Sequence, residues 1–173
     1  MKIVFILSLF ISFLFSHPHT FIDVYPTVKI KSEATTTLNF KWILDDMTSS
    51  ILVMELDKNG NGKIDENENS HIYSEYFSIF KEYDYYTYII VNGKNIKLPK
   101  PENFRATIQN NKICYSFDIK LNNNIKDIVF EFGDSSYYVG MILKAKFVDA
   151  NGLSIKISKV DNDIYYGYRL ELR

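Results

Sequence analysis

Over most of this chain apolar residues recur at every second position, in short runs cut by turn dipeptides, and that pattern confines it to antiparallel β architecture. The runs are Phe21 to Lys31, Thr35 to Leu44, Tyr85 to Val91, Lys94 to Leu98, Arg105 to Gln109, Lys112 to Leu121, Asp127 to Gly133, Tyr137 to Val148, Leu153 to Ser158 and Tyr165 to Leu172. Asn92-Gly93, Asn110-Asn111, Asn151-Gly152 and Asp161-Asn162-Asp163 supply turn chemistry between them, and Asn92-Gly93 carries the signature of a type I′ hairpin. Many short strands at near-regular spacing predict a mostly β fold, either an antiparallel β-sandwich or an open barrel. With 173 residues, 46% of them hydrophobic, there is material for one core and not for two.

The period changes once. Between Asp45 and Phe80 the apolar residues shift to helical spacing, first as Met47, Ile51 and Met54, then as Ile72, Tyr73, Tyr76, Phe77 and Phe80. This predicts an EF-hand-like helix-loop-helix inserted over about 45–80. Between the two helices, Asp57-Lys58-Asn59-Gly60-Asn61-Gly62-Lys63-Ile64-Asp65-Glu66-Asn67-Glu68 matches D-x-[DN]-x-[DN]-G-x5-E at every specified position. A hard cation takes oxygen ligands, and this loop offers the side chains of Asp57, Asn59 and Asn61, the Lys63 carbonyl, Asp65 directly or through water, and both oxygens of Glu68. Gly62 permits the sharp turn, and Ile64 is expected to face the core. With only three formal negative charges from the ligands, at Asp57, Asp65 and Glu68, and no second loop to pair with, calcium affinity is expected in the range of about 10⁻⁴ to 10⁻³ M typical of extracellular modules. Asp65 and Glu68 also have the spacing of an acidic capping box, which by itself asks for no oxygens at the first, third and fifth loop positions.

The start of the chain reads as an export signal: Lys2, an apolar run from Ile3 to Phe15, and small Ser16 at its end. Residues 1–16 are therefore expected to be removed, leaving a periplasmic domain over 17–173 that begins at His17 and has no membrane span. The single cysteine, Cys114, allows no intramolecular disulfide, and its alternation with Ser116 and Asp118 predicts a partly buried, unreactive thiol. Twenty basic residues against 21 acidic ones give a net charge of −1, with no electrostatic footprint for nucleic acid or an anionic membrane.

Two of the three histidines sit in His17-Pro18-His19, at the expected new terminus. An α-amine titrates near about 7.7 and imidazole near about 6.5, so both can release protons to nickel, cobalt, zinc or copper around neutral pH. Pro18 has no N–H, which removes the square-planar site that uses two main-chain amides ahead of a third-position histidine. His71 falls on the polar side of the second helix with Ser74, Glu75 and Ser78, either solvated or completing a site with Glu68 or Glu75.

These features together resemble an exported family labelled as the periplasmic component of an ABC-type transport system. Its members open on His-Pro-His and a hydrophobic strand, as in His17 to Asp23, and continue with a Trp-x-x-Asp segment similar to Trp42 to Ser49 and an acidic loop similar to Asp57 to Glu68. A tyrosine-rich stretch like Tyr83 to Tyr88 and an Asp-x-x-Tyr-Tyr segment like Asp134 to Tyr138 follow. The resemblance covers most of the mature chain, and Leu44 stands where the family has an aromatic residue. Members are often encoded near nickel/cobalt or zinc transporters, which implies a metal-handling partner of an inner-membrane transporter.

No nucleophile–base pair, phosphate loop or dinucleotide fingerprint is present, so catalysis is not the leading expectation. The sequence predicts a non-enzymatic, exported metal-binding accessory protein, holding a divalent transition metal through His17 and His19 and a structural calcium through its loop. Two other readings stay open. One is a calcium-stabilised structural or interaction module. The other is a copper oxidase built on an amino-terminal histidine brace with His19 or His71.

Overall fold

The computed structural model describes residues 19–32, 35–122 and 128–173; the expected signal sequence and His17 lie outside these described residues. The two-residue period becomes two packed sheets. The first holds β1 (Thr20–Ser32), β2 (Thr35–Leu44), β5 (Glu102–Gln109), β6 (Lys112–Leu121) and β8 (Val139–Ile142), in the order β5-β6-β2-β1-β8. The second holds β3 (Thr87–Val91), β4 (Lys94–Ile96), β7 (Ile128–Gly133), β9 (Ile155–Asp161) and β10 (Tyr166–Leu172), in the order β4-β3-β7-β10-β9. Alternation buries Val24, Leu38, Phe40, Trp42, Phe117 and Ile119 from one sheet against Ile89, Phe130, Phe132 and Leu170 from the other. Phe40 meets Phe130 and Phe132 edge-on across the interface, with ring centroids 6.4 and 5.8 Å apart. Both sheets are open, so of the two expected architectures the fold is the sandwich.

Three local expectations are corrected by long-range packing. The run Tyr137 to Val148 yields only the short β8, which pairs parallel with β1. A 3₁₀ turn at Ala145–Phe147 follows, and Phe147 stacks on Tyr25 at 4.1 Å. Asp149 then rejoins the same edge of β1: its N–H donates to Pro26 O and its carbonyl accepts from Val28 N–H. Tyr85 and Tyr86 are not in a strand; with Asp84 they form three consecutive left-handed residues, φ 47°, 50° and 51°, and β3 begins at Thr87. Leu153 and Ser154 likewise precede β9.

The insertion forms where the helical spacing places it, as α1 (Asp46–Leu56) and α2 (Glu66–Ile72), but Met47, Ile51 and Met54 point outward, 65%, 58% and 81% exposed. Ser49 decides the inward face of α1. Fully buried, its Oγ donates to Leu44 O and accepts from Ile113 N–H, both at 3.1 Å, tying the helix to β2 and β6. Beyond α2 the chain widens into a π-helical turn, Tyr73–Phe77, and then tightens into 3₁₀ geometry from Ser78 until the break at Tyr83 and the left-handed run that follows it. Phe77 and Phe80 thereby pack on Trp42, with centroids 6.2 and 6.0 Å away. Cys114 is buried, and burial pushes its thiol above the ordinary value, as an unreactive cysteine requires.

Gly133 and Gly167 face each other across β7 and β10. A Cβ on Gly167 would stand 1.8 Å from Phe132 O, and one on Gly133 would stand 2.5 Å from Cδ2 of Tyr165, which crosses over it. Gly167→Ala is expected to lower unfolding free energy by about 3 kcal/mol in urea titration, because backbone must move. Gly152→Ala, at φ 82° with nothing within 4 Å of the new Cβ, should cost only about 1 kcal/mol.

Candidate functional site

Two places carry the chemistry read from the sequence: the start of β1 and the loop between α1 and α2. At the first, the His19 N–H donates to Tyr138 O at 2.8 Å, and the exposed imidazole stacks on the Tyr138 ring at 5.5 Å. Tyr138 is held there by Asp134, which is buried and accepts from four donor groups. Its Oδ1 takes the Ser136 N–H at 2.9 Å and its Oδ2 takes the N–H groups of Tyr138 and Val139 at 3.0 and 2.8 Å, while Ser136 Oγ donates to both oxygens. A carboxylate so saturated with donors is a structural clamp.

Asp45 grips the same strand from the other side. Its N–H donates to Phe21 O at 2.9 Å, and its Oδ2 accepts from Phe21 N–H at 2.7 Å. Its Oδ1 accepts from Thr48 N–H at 2.9 Å, making it the N-cap of α1. Thr48 Oγ1 also bonds Thr20 Oγ1 at 3.2 Å. Partial burial works against ionisation of Asp45, but the Phe21 and Thr48 donors prevail and hold its carboxyl below the ordinary 3.8. Segments about 25 and 115 residues downstream, Trp42 to Ser49 and Asp134 to Tyr138, therefore meet on residues 19–21. Beside them opens a mostly apolar cavity of about 420 Å³, walled by Thr20, Ile22, Leu44, Thr48, Phe80 and Val139 among others. His17 lies outside the described residues, so of the two terminal histidines only His19 has a position.

At the second place the twelve loop residues close on themselves. Asp57 accepts from the N–H groups of Asn61 and Gly62 at 3.1 and 2.8 Å, Asn59 Oδ1 from Asn61 N–H at 3.0 Å, and Asn61 Oδ1 from Lys63 N–H at 2.8 Å. Gly62 is left-handed at φ 76°, and Ile64 packs against the core as expected. Asp65 caps α2 by accepting from Asn67 and Glu68 N–H, both at 2.9 Å. Glu68, buried, accepts from Lys58 N–H at 2.8 Å and from Asp65 N–H at 2.9 Å, so the capping box is formed. The Asn59 amide donates to Asp65 Oδ2 at 3.1 Å. His71, exposed one turn beyond Glu68, lines a cleft of about 440 Å³ with Lys58, Asn59, Asp65, Asn67 and Glu68, and its ring stands edge-on to Tyr76. Glu75 lines the apolar cavity instead, so His71 shares a cleft with Glu68 and not with Glu75. Among the described residues no three His, Cys, Asp or Glu side chains converge as a metal-ligand cluster.

Sequence reasoning passed over three polar anchors. Asp45 and Asp134 carried visible local signals, an N-cap before a helix and an Asx turn, but not the fact that both hold β1. Glu131 carried none. It is buried on β7, where it accepts from Arg169 Nε at 2.5 Å and from the Tyr165 hydroxyl, whose ring stacks on Tyr88 at 4.2 Å. Burial and then Glu131 push the Tyr165 hydroxyl well above the usual tyrosine value.

The sequence profile of the family described as "Protein of unknown function (DUF1007)" matches residues 2–161, and the chain belongs to that family. It is similar to an "Uncharacterized protein" of Haemophilus influenzae (strain ATCC 51907 / DSM 11121 / KW20 / Rd), 32% identical over 160 residues that span 86% of this chain and 74% of that protein. It is also similar to an "Uncharacterized 15.5 kDa protein in trpE 3'region" of Spirochaeta aurantia, 29% identical over 94 residues, 53% of this chain and 67% of the relative. These descriptions name neither a metal nor a transporter.

Asp45→Ala should cost about 1 to 2 kcal/mol at neutral pH by removing the N-cap and the β1 clamp together. The folded carboxyl titrates below its unfolded value of 3.8, so its stabilisation is full above that value and is lost as pH falls through the folded one. The gap between wild type and variant in urea midpoint should therefore narrow as pH falls from about 5 toward about 1.

Proposed function

We propose that this family member is an exported, periplasmic metal-binding accessory protein of a divalent transition-metal transport system. His17 and His19 would hold nickel, cobalt, zinc or copper, and the 57–68 loop a structural calcium. The observation that carries the reading is the double clamp on residues 19–21, which fixes the root of the His-Pro-His segment while the His19 imidazole stays exposed. Stacking on Tyr138 limits the ring's rotation, and its nitrogens have no hydrogen-bond partner among the described residues, so a ligand of low ordering cost stands at a fixed place. An amine and two imidazoles fill only part of a four- or six-coordinate shell, and the open positions let a recipient replace ligands one at a time. The recipient proposed is an inner-membrane transporter.

The donor set of the loop suits a hard cation: Asp57, Asp65 and Glu68 carboxylates, Asn59 and Asn61 amide oxygens, and the Lys63 carbonyl. Calcium there supplies no chemistry beyond cross-linking α1 to α2. Binding competes with the Asn59–Asp65 hydrogen bond and with the capping role of Glu68, which supports the weak affinity expected from the charge count. A narrower reading, calcium-stabilised module without a transition metal, is favoured by the loop being wholly formed among the described residues.

Native mass spectrometry of the exported protein is expected to report His17 as first residue and one bound transition-metal ion, lost in His17→Ala/His19→Ala. Unaltered binding in that double variant overturns the transfer role. Separately, about 10 mM calcium should raise stability by about 1.4 kcal/mol if the dissociation constant is about 1 mM. Glu68→Gln should remove that increment. A calcium increment without transition-metal uptake selects the narrower reading.

A further inference from the structure

The left-handed run Asp84–Tyr86 returns the chain from the helical insertion into β3, and it borders a cleft that neither metal site uses. Three successive non-glycine residues at φ near 50° are costly, roughly 1 kcal/mol or more each, and persist only where the surroundings impose them. Here they bring Asp84 and Tyr85 to the wall of a cavity of about 470 Å³. Its remaining wall comes from two other segments: Ser78 and Lys81 on the 3₁₀ stretch, and Lys97, Leu98 and Lys100 between β4 and β5.

The charge there is one-sided. Lys81 comes from one segment and Lys97 and Lys100 from the other, and none of the three side chains makes a hydrogen bond or ion pair with the described residues. Asp84 is the single carboxylate of the lining, and it pairs with none of the three. Pro99 and Pro101 bracket Lys100 and fix the backbone that presents it. Leu98 is half-buried and Tyr85 buried, so the lining also has an apolar part. A second cleft, of about 430 Å³, shares Asp84, Lys97 and Leu98 with the first.

We propose that this cleft binds a small organic oxyanion, a polycarboxylate or phosphate ester carrying two or more negative charges. Its charged groups lie toward Lys81, Lys97 and Lys100 and its carbon skeleton against Leu98 and Tyr85. Lysine serves here as a mobile point charge, which suits anions of varied shape, and the convergence of three such charges selects for multivalency. The site stands independently of the metal reading, since it shares no residue with the terminus or the 57–68 loop.

Isothermal titration of the full mature chain in calcium-free buffer tests it, with tricarballylate and glycerol 3-phosphate as probes and acetate as the monovalent control. Tricarballylate is chosen because it chelates metals weakly. Binding of either probe with a dissociation constant of about 1 mM or lower is expected, weakening as salt rises from about 20 to about 200 mM. In Lys81→Gln/Lys97→Gln/Lys100→Gln binding should weaken at least about tenfold. The matched Lys29→Gln/Lys94→Gln/Lys159→Gln protein should bind like wild type, and circular dichroism should show all three proteins equally folded. Binding of one probe alone identifies its oxyanion as the class. Binding of neither probe, equal binding by the two triple variants, or binding no tighter than acetate overturns the proposal.

Discussion

The fold rests on one face of one strand. β2 is central in its sheet, and its inward residues Phe40 and Trp42 serve two different partners. Phe40 meets the second sheet through Phe130 and Phe132, while Trp42, two residues on, meets the helical insertion through Phe77, Phe80 and Tyr86. Phe117 of β6 touches both, at 5.5 Å from Phe40 and 5.0 Å from Trp42. The insertion is therefore a continuation of the second layer: where the strands of that sheet stop, the π-turn and 3₁₀ segment cover the remaining apolar surface. Truncating a buried aromatic of this size typically costs about 3 to 5 kcal/mol, a large share of the stability of a domain this long. The gain has a polar cost, because Trp42 Nε1 is buried without a hydrogen-bond acceptor among the described residues.

Around that aromatic column, buried polar side chains join one element to another. Ser49 joins α1 to two strands, Asp134 gathers the donors of the turn before β8, and Glu131 satisfies Arg169 and Tyr165 on the outer side of β7. Each sits where backbone or side-chain groups would otherwise lack partners. The insertion is bound to the sandwich by the same means, since Asn69 Oδ1 accepts the Ala106 N–H of β5 at 2.7 Å. Such anchors fix geometry more than they add energy, and two of the candidate functional features inherit their positions from them.

How much of this was legible in the sequence follows from the range of each interaction. β2 and β6 begin and end where alternation and the Asn110-Asn111 turn place them, because strand period and turn chemistry are local. The turn at Gly62, the inward Ile64 and the Asp65–Glu68 capping box were legible, since the residues that make them lie within twelve contiguous positions. The parallel pairing of β8 was not, because it depends on which sheet edge lies open after the chain crosses from β7. Met47, Ile51 and Met54 gave the right element and the wrong face: a hydroxyl bonded to two sheet backbones outweighed their apolar character, and no periodicity encodes that. Tyr85 and Tyr86 read as strand residues by propensity, yet Tyr86 must reach Trp42 and Tyr85 must reach Phe77, which bends the backbone into a left-handed turn.

The clamp on β1 constrains what a terminal histidine pair can do. His19 is tied through its own N–H, and His17 is only two residues away from it along the chain. A metal shared by the two imidazoles, as proposed above, would have to reach the His19 ring where it stacks on Tyr138, and could not sit anywhere along a free arm. Tethering this short raises the effective concentration of the second ligand about the first, so modest individual affinities combine without a preformed cage. The same tether would leave such an ion at the exposed His19 ring, open to solvent. Tight storage would call for a closed shell of ligands on rigid elements, whereas hand-over calls for a few ligands at a defined address, and the anchoring of residues 19–21 is suited to the second.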